Sequence, residues 1–175
     1  ILIIQMWLDT HLFLKLLKLT QKMISIEVFS EEKAWSKKLR KKELFFKELC
    51  NLFPRKYRFP NKKITLTLLL SNNRCIKKLN KNFRNKNKST DILSFPLVKK
   101  KLISKKTYIG DIIISYNFMN KPKSQNIKDF KEKVAKTFIH GYLHLLGFDH
   151  IKDKDYRRMV SEEEKIYKSI ISKIN

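Results

Sequence analysis

Three of the four histidines in this 175-residue chain lie within eleven residues, in the stretch HGYLHLLGFDH at 140–150. His140 and His144 are four residues apart, so a helix places them on one face, one turn above the other. Gly147 can end that helix in the left-handed conformation common at helix C-termini, and the three residues that follow can return His150 to the same point. The spacing therefore predicts a helix, a turn and three imidazoles around one ion.

Neutral imidazole is a frequent metal ligand, and a glycine between the second and third histidines also occurs in the metzincin spacing. Three protein ligands leave one coordination position open, which is typical of catalytic metal sites. The alternative is a set of ordinary histidines near a helix C-terminus, where positive charge is favoured. Because the chain has one other histidine, His11, the clustering favours the metal site.

A zinc peptidase would need a glutamate as general base next to the first histidine, and Gly141 stands there. Gly141 either leaves space beside the ion for a bulky substrate such as a nucleic-acid strand, or allows a close helix contact. Another group must then transfer protons. Asp149 is a candidate for that role, and it is an equally good candidate for capping the turn or orienting a histidine.

The remaining pattern predicts the elements of an α+β domain. Strands are expected at 24–29, 62–71, 91–95 and 107–115; the last is the most β-branched and so the central one, and Pro96 ends the third or restricts it to an edge. Helices are expected at 31–52, 72–83, 129–147 and 153–173. Ser30 can cap the first helix, and the inner face of the last should carry Tyr156, Met159, Val160, Ile166, Ile170 and Ile171.

This element order predicts an α+β fold: a single domain with a small mixed β-sheet packed by helices, and a metal-site helix followed by a turn. Residues 1–22 are apolar, but charged side chains interrupt every run, so they predict neither a spanning helix nor a signal peptide. Because Met23 opens the first strand, we expect 1–22 to be a dispensable or non-native extension and 23–175 to be the domain. Cys50 and Cys75 lack ligand spacing and are expected as reduced thiols without a disulfide partner, which fits the cytoplasm.

The net charge of +24 favours an anionic partner such as nucleic acid. The basic residues are 33 Lys and 7 Arg, a bias also expected from an AT-rich genome, so the charge supports this partner only in part.

Three stretches resemble one known family. The residues at 140–150 resemble the H-G-x-L-H-L-x-G-[YF]-D-H signature of the YbeY endoribonucleases, which are rRNA maturation factors of bacteria and organelles. LNKNFRNKNKSTDILSFP at 79–96 and IGDIIIS at 109–115 are similar to two further blocks of that family. The resemblance covers about 24–172; the departures are the extension at 1–22 and Ile92, where the family pattern has valine.

The resemblance implies a hydrolase with one Zn²⁺ per chain that cuts single-stranded RNA, processes the 3′ end of small-subunit rRNA and contributes to ribosome quality control. His140, His144 and His150 then correspond to the zinc ligands. Arg84 corresponds to the basic residue over the cleft; the alternative is an ordinary exposed arginine in a Lys/Asn-rich loop.

Lys81, Lys86 and Lys88 can follow an RNA backbone, or they can simply belong to a solvated loop. Few aromatic residues lie among them, so no base-stacking platform is expected. The sequence leaves two rival functions open: a ribosome-associated RNA-binding factor with a structural zinc, and a zinc peptidase or amidase. It predicts no membrane partner and does not determine the oligomeric state.

Overall fold

The computed structural model describes residues 24–99, 102–104 and 106–174. Its elements alternate along the chain as the sequence predicts, with additional short helices. The strands are β1 (Ile24–Ser30), β2 (Lys63–Ser71), β3 (Ile92–Pro96) and β4 (Lys106–Ser115). The helices are α1 (Ala34–Lys38), α2 (Lys42–Leu52), α3 (Arg55–Arg58), α4 (Asn73–Arg84), α5 (Tyr116–Met119), α6 (Ile127–Leu145) and α7 (Asp153–Ile170), followed by a 3₁₀ turn at Ile171–Lys173. The predicted extension at 1–22 lies outside the described residues.

The four strands form one mixed sheet in the order β1-β2-β4-β3. Strands β1, β2 and β4 are parallel, and β3 is antiparallel to β4. The Ile-rich strand β4 is therefore internal, as its composition predicts, and β3 lies at an edge, where its terminal Pro96 need not donate to a neighbour. The predicted α+β fold with a mixed sheet packed by helices is confirmed.

One face of the sheet carries the main core. Alternate residues of β2, among them Ile64, Leu66 and Leu68, are buried on this face, as the two-residue period of a strand requires. Helices α2, α6 and α7 cover them, and aromatic side chains fill the interface; they include Trp35, Phe46, Phe138 and Tyr142. Helix α6, which carries two of the three clustered histidines, is thus fixed by the core over most of its length.

The opposite face of the sheet carries a smaller apolar cluster beneath α4. Ile76 from α4, Leu93 from β3 and Ile113 from β4 form its centre. The side chain of Asn72 caps α4 by accepting a hydrogen bond from the Cys75 amide at 3.1 Å. The cluster holds the C-terminal end of α4 beside the edge strand β3.

The single helix predicted at 31–52 is wrong, because the chain breaks it into α1 and α2. Leu39 and Lys41 both leave the helical conformation, with φ/ψ of −135/78° and −109/64°. Five of the six residues around the break are basic, and like charges three or four apart repel along a helix. They are Lys37, Lys38, Arg40, Lys41 and Lys42.

Two smaller expectations are also wrong. The cap before α1 comes from Glu32, whose carboxylate accepts from the Ala34 amide at 3.2 Å, and not from Ser30. The inner face of α7 was expected to carry Tyr156, but Tyr156 is 56 % exposed, and Glu162 is buried there instead, at 7 % exposed. Two lysines make this burial tolerable by pairing with the Glu162 carboxylate: Lys56 at 2.6 Å and Lys165 at 2.9 Å.

Both cysteines are free thiols; Cys50 is buried and Cys75 is half-buried. Within the described part of the chain, no helix has the length and hydropathy needed to cross a bilayer.

Candidate metal centre

The C-terminal end of α6 and the turn after it bring the three histidines together. Gly147 has φ +80°, a conformation that a side chain disfavours. Its amide donates to the His144 carbonyl at 2.9 Å, and the Phe148 amide donates to the Leu143 carbonyl at 3.0 Å, so the last carbonyls of the helix are satisfied. The chain then reverses and returns His150 to the end of the helix, which confirms the predicted helix and turn.

The three imidazoles converge on one point. One ring nitrogen from each of His140, His144 and His150 lies within 4.8 Å of the other two. The closest pair is Nε2 of His140 and Nε2 of His144, at 3.1 Å. Nitrogen ligands about 2.0–2.1 Å from a tetrahedral zinc lie about 3.4 Å apart. The three histidines are therefore positioned to bind one metal ion.

The partners of the outer ring nitrogens assign a consistent protonation state to the site. Nδ1 of His144 lies 2.9 Å from the Phe148 carbonyl oxygen, which can only accept, so this nitrogen carries the hydrogen. Nδ1 of His140 lies 2.6 Å from a carboxylate oxygen of Glu163 and donates to it. When both rings are neutral, their lone pairs are on the Nε2 atoms, which lie 3.1 Å apart. Two facing acceptors repel, and a cation between them removes the repulsion.

The pKa of His144 favours the same neutral form. Burial lowers it below the usual 6.5, the neighbouring His140 lowers it further, and the hydrogen bond to the Phe148 carbonyl opposes this only in part. Neutral imidazole is the form that binds metals. Among the described residues, no fourth His, Cys, Asp or Glu joins the group, and three candidate protein ligands are the number typical of a catalytic centre.

An open cavity of about 750 Å³ adjoins the histidines. Its walls come from both sides of the edge strand β3: Phe83 and Arg84 from the end of α4, Ser94 from β3 itself, and Asp149 from the turn. Sequence reasoning pointed to Arg84 and Asp149, and the fold places both beside the histidines. Three lysines close in sequence to Arg84 are exposed and do not line the cavity: Lys81, Lys86 and Lys88.

Asp149 has a structural contact in addition to its place in the cavity. Its Oδ1 accepts a hydrogen bond from the His150 amide at 2.7 Å. The side chain thereby fixes the backbone of the third histidine. This contact belongs to the turn-forming role that the sequence left open, and it does not exclude proton transfer by the same carboxylate.

Gly141 does not open space beside the metal; it permits close packing of α6 on the sheet. A Cβ atom on Gly141 would lie 2.5 Å from Cδ1 of Ile92, 2.9 Å from Oγ of Ser94 and 3.2 Å from Cγ2 of Ile112. Real Cβ atoms essentially never come within 3.0 Å of another heavy atom. Of the two roles that the sequence allowed for this glycine, the structure has the close helix contact.

Sequence reasoning missed Glu163, which lies 23 residues after His140 and orients its ring. A metal-binding histidine usually donates its second N–H to a carboxylate or a carbonyl, so an acidic partner for His140 was to be expected. The run of three glutamates at 162–164 is the only hint of where it lies. The pattern does not say which of the three faces α6, because that depends on how α7 packs.

Comparisons with known proteins identify the family of the chain. Residues 26–171 match the model of the family described as Endoribonuclease YbeY. A relative from Pelagibacter ubique with that name is 59 % identical over 152 residues, covering 87 % of this chain and 99 % of its own. Another with that name, from Ehrlichia canis, is 34 % identical and covers 82 % and 90 %.

A structural comparison supports the fold independently. A Thermotoga maritima protein solved in solution superposes with a TM-score of 0.53 at 24 % identity, over 85 % of this chain and 90 % of its own. At that identity the likeness concerns the fold alone. The family match covers β1 from Ile26 onward, the other three strands and the complete histidine cluster, and we conclude that the chain belongs to the YbeY endoribonuclease family.

Proposed function

We propose that this protein is a zinc-dependent endoribonuclease that cuts single-stranded RNA in ribosomal RNA processing, including the 3′ end of small-subunit rRNA, and in ribosome quality control. The observation that carries the proposal is the donor set: the Nε2 atoms of His140 and His144 lie 3.1 Å apart, beside a third histidine and an open cavity. Family membership supplies the reaction class.

The proposed ligands of one Zn²⁺ per chain are His140, His144 and His150. A zinc ion bound there supplies Lewis-acid chemistry to a phosphodiester. Glu163 and the Phe148 carbonyl hold two of the rings by their outer nitrogens. Because imidazole also suits nickel and cobalt, the preference for zinc is part of the proposal.

Arg84 and Asp149 are the proposed catalytic residues. The Arg84 guanidinium is exposed and lines the cavity, where its charge can offset the negative charge that develops at phosphorus. The Asp149 carboxylate is exposed in the same cavity and can accept the proton of an attacking hydroxyl group. That hydroxyl belongs either to water or to the 2′ position of the substrate; 2′,3′-cyclic phosphate ends on the product would identify the latter.

The proposed partners are single-stranded RNA and the ribosome or its small subunit, in the cytoplasm. The proposed contacts to the RNA backbone are Lys81, Lys86 and Lys88, because they are exposed, lie within four residues of Arg84 in the sequence and carry part of the +24 charge. We also propose that 23–175 is the functional domain. A chain that starts at Met23 should then cleave RNA as fast as the full chain.

The two rival functions meet specific difficulties. A structural zinc site is closed by four protein ligands, and the described residues provide three. A zinc peptidase needs a general base next to the first ligand, and Gly141 is packed against β3 and β4. The peptidase rival also gives no role to Arg84 in the cavity that it shares with the histidines.

The test is to measure metal content and cleavage of a single-stranded RNA with purified wild type and His144→Ala. We expect one zinc per wild-type chain, and loss of both metal and cleavage in the variant. His11→Ala is the matched control, because His11 is the histidine outside the cluster, and it should keep both. Wild type that binds zinc but leaves RNA uncut would contradict the proposal and favour the RNA-binding factor.

A further inference from the structure

A second, apolar groove lies on the sheet face that carries α4. It has a volume of about 460 Å³, within the range of small-molecule sites. Its apolar walls include Phe29 from β1, Leu79 and Phe83 from α4, and Phe95 from β3. Phe83 is 67 % exposed and Phe29 is 55 % exposed, so two large aromatic side chains face solvent in one concave surface.

The groove is continuous with the metal cavity. Phe83 and Phe95 line both, and their rings pack edge to face at 5.2 Å. Phe83 directly precedes Arg84 in α4. The edge strand β3 lies between the two spaces: Ile92 and Ser94 face α6, whereas Leu93 and Phe95 face the groove, as alternate residues of a strand must.

The charges around the groove favour a nucleobase inside it and a phosphate group outside it. Asp111 is the one charged residue among the described residues that line the groove. Its carboxylate accepts from the Tyr108 hydroxyl; it repels phosphate and can accept N–H groups of a nucleobase. The positive charges lie on the exposed side of α4, where an RNA backbone would be attracted. They are Arg74, Lys77, Lys78, Lys81 and Arg84.

We propose that this groove binds a nucleobase of the RNA substrate, close to the cleaved bond and stacked on Phe83. The inference rests on the proposed function and adds to it how the strand is held: the backbone follows α4 and Arg84, and one base turns into the groove. Stacking on an aromatic side chain tolerates all four bases. The sequence predicted no stacking platform because few aromatic residues lie among the lysines at 81–88, but the fold brings together phenylalanines from β1, α4 and β3.

The experiment measures kcat and KM for cleavage of a single-stranded oligoribonucleotide by wild type and Phe83→Ala. We expect KM to rise about tenfold in the variant, the size of one lost base stack. Phe83→Tyr should restore KM. Ile127→Ala is the matched control, because Ile127 is 44 % exposed and lies on α6 about 20 Å from His140 along the helix; its KM should stay at the wild-type value.

A second set of substrates separates binding from a general structural effect. Each substrate lacks one base, and the abasic position is moved along both sides of the cut. For wild type, one position should raise KM about tenfold. For Phe83→Ala, an abasic site at that same position should leave KM unchanged, because the aromatic ring that stacks on the base is already missing.

The outcomes distinguish this inference from the function on which it rests. If wild type fails to cleave RNA, the proposed function itself is lost. If wild type cleaves and His144→Ala does not, the function stands, and an unchanged KM for Phe83→Ala overturns the nucleobase site. An equal abasic penalty in wild type and Phe83→Ala overturns it as well, and would leave the groove to another occupant, such as a protein partner or a segment of this chain.

Discussion

The contact between α6 and the sheet at Gly141 gives a quantitative prediction for Gly141→Ala. In the middle of a helix, alanine is more favourable than glycine by about 1 kcal/mol. Against this, the new methyl group would overlap side chains of Ile92 and Ser94, at 2.5 and 2.9 Å. Overpacking of this kind costs about 1–3 kcal/mol. Ser94 can turn away without losing a hydrogen bond, since its buried hydroxyl has no partner, so Ile92 decides the cost.

We expect Gly141→Ala to destabilise the fold by about 1 kcal/mol, which for a chain of this size lowers Tm by about 2–4 °C. The assay is thermal unfolding of wild type, Gly141→Ala, Ile92→Val and the double variant. Ile92→Val alone should cost about 0.5–1.5 kcal/mol. Combined with Gly141→Ala it should cost less, because valine lacks the clashing Cδ1 atom. The family pattern that this sequence resembles also has valine at that position.

Gly147→Ala is the control for a different mechanism. An added Cβ would meet nothing within 4 Å there, but φ is +80°, so the cost is backbone strain of about 1–2 kcal/mol, and Ile92→Val should not relieve it. A rise in Tm for Gly141→Ala by the full helix-propensity gain would refute the steric argument. The argument would also be refuted if Ile92→Val lowered the stability by the same amount in wild type and in Gly141→Ala.

Three further predictions concern acidic residues. Glu163→Gln should weaken metal binding about tenfold in a chelator competition, because the His140 ring loses its charged partner. Glu164 is exposed, so Glu164→Gln should leave the metal affinity unchanged. Equal metal affinities for wild type and Glu163→Gln would contradict this prediction. Asp149→Asn keeps an acceptor for the His150 amide, so metal content should hold while cleavage slows about 100-fold; normal cleavage would limit Asp149 to shaping the turn. Burial alone raises the pKa of Glu162, but Lys56 and Lys165 outweigh it and lower the pKa below 4.5. The two ion pairs therefore stabilise the fold at any pH above the pKa of Glu162 in the unfolded chain. This stabilisation is lost as the pH falls through the lower pKa of Glu162 in the folded chain. Glu162→Gln should thus show a smaller drop in Tm than wild type between about pH 6 and about pH 3.

The parts of the fold that follow a local rule were predictable from the sequence. An isoleucine run suits an internal strand, and β4 is internal; Pro96 cannot donate in a ladder, and β3 is at the edge. The convergence of the three histidines was predictable for the same reason, because helix geometry and one glycine bring them together within eleven residues.

Features that depend on distant contacts were not predictable. The hydrophobic spacing of 31–52 suits one helix. That pattern alone does not predict the break at Leu39, which requires the repulsion among the neighbouring basic side chains to be taken into account. Glu163 meets His140 because α7 packs on α6, and nothing near either residue indicates that crossing. The aromatic groove is the clearest case, since Phe29, Phe83 and Phe95 come from separate elements.

The three histidines are held unequally by the fold, which bears on how a bound metal ion would be exchanged. His140 and His144 belong to a helix whose buried face packs in the main core, whereas His150 is exposed on the turn after Gly147. Such an arrangement lets the ion leave in steps, with the exposed ligand released first and the helical pair last. A chelator should therefore empty the centre while the chain stays folded, and added metal should reload it without refolding, unlike a zinc finger, in which removing the ion unfolds the chain.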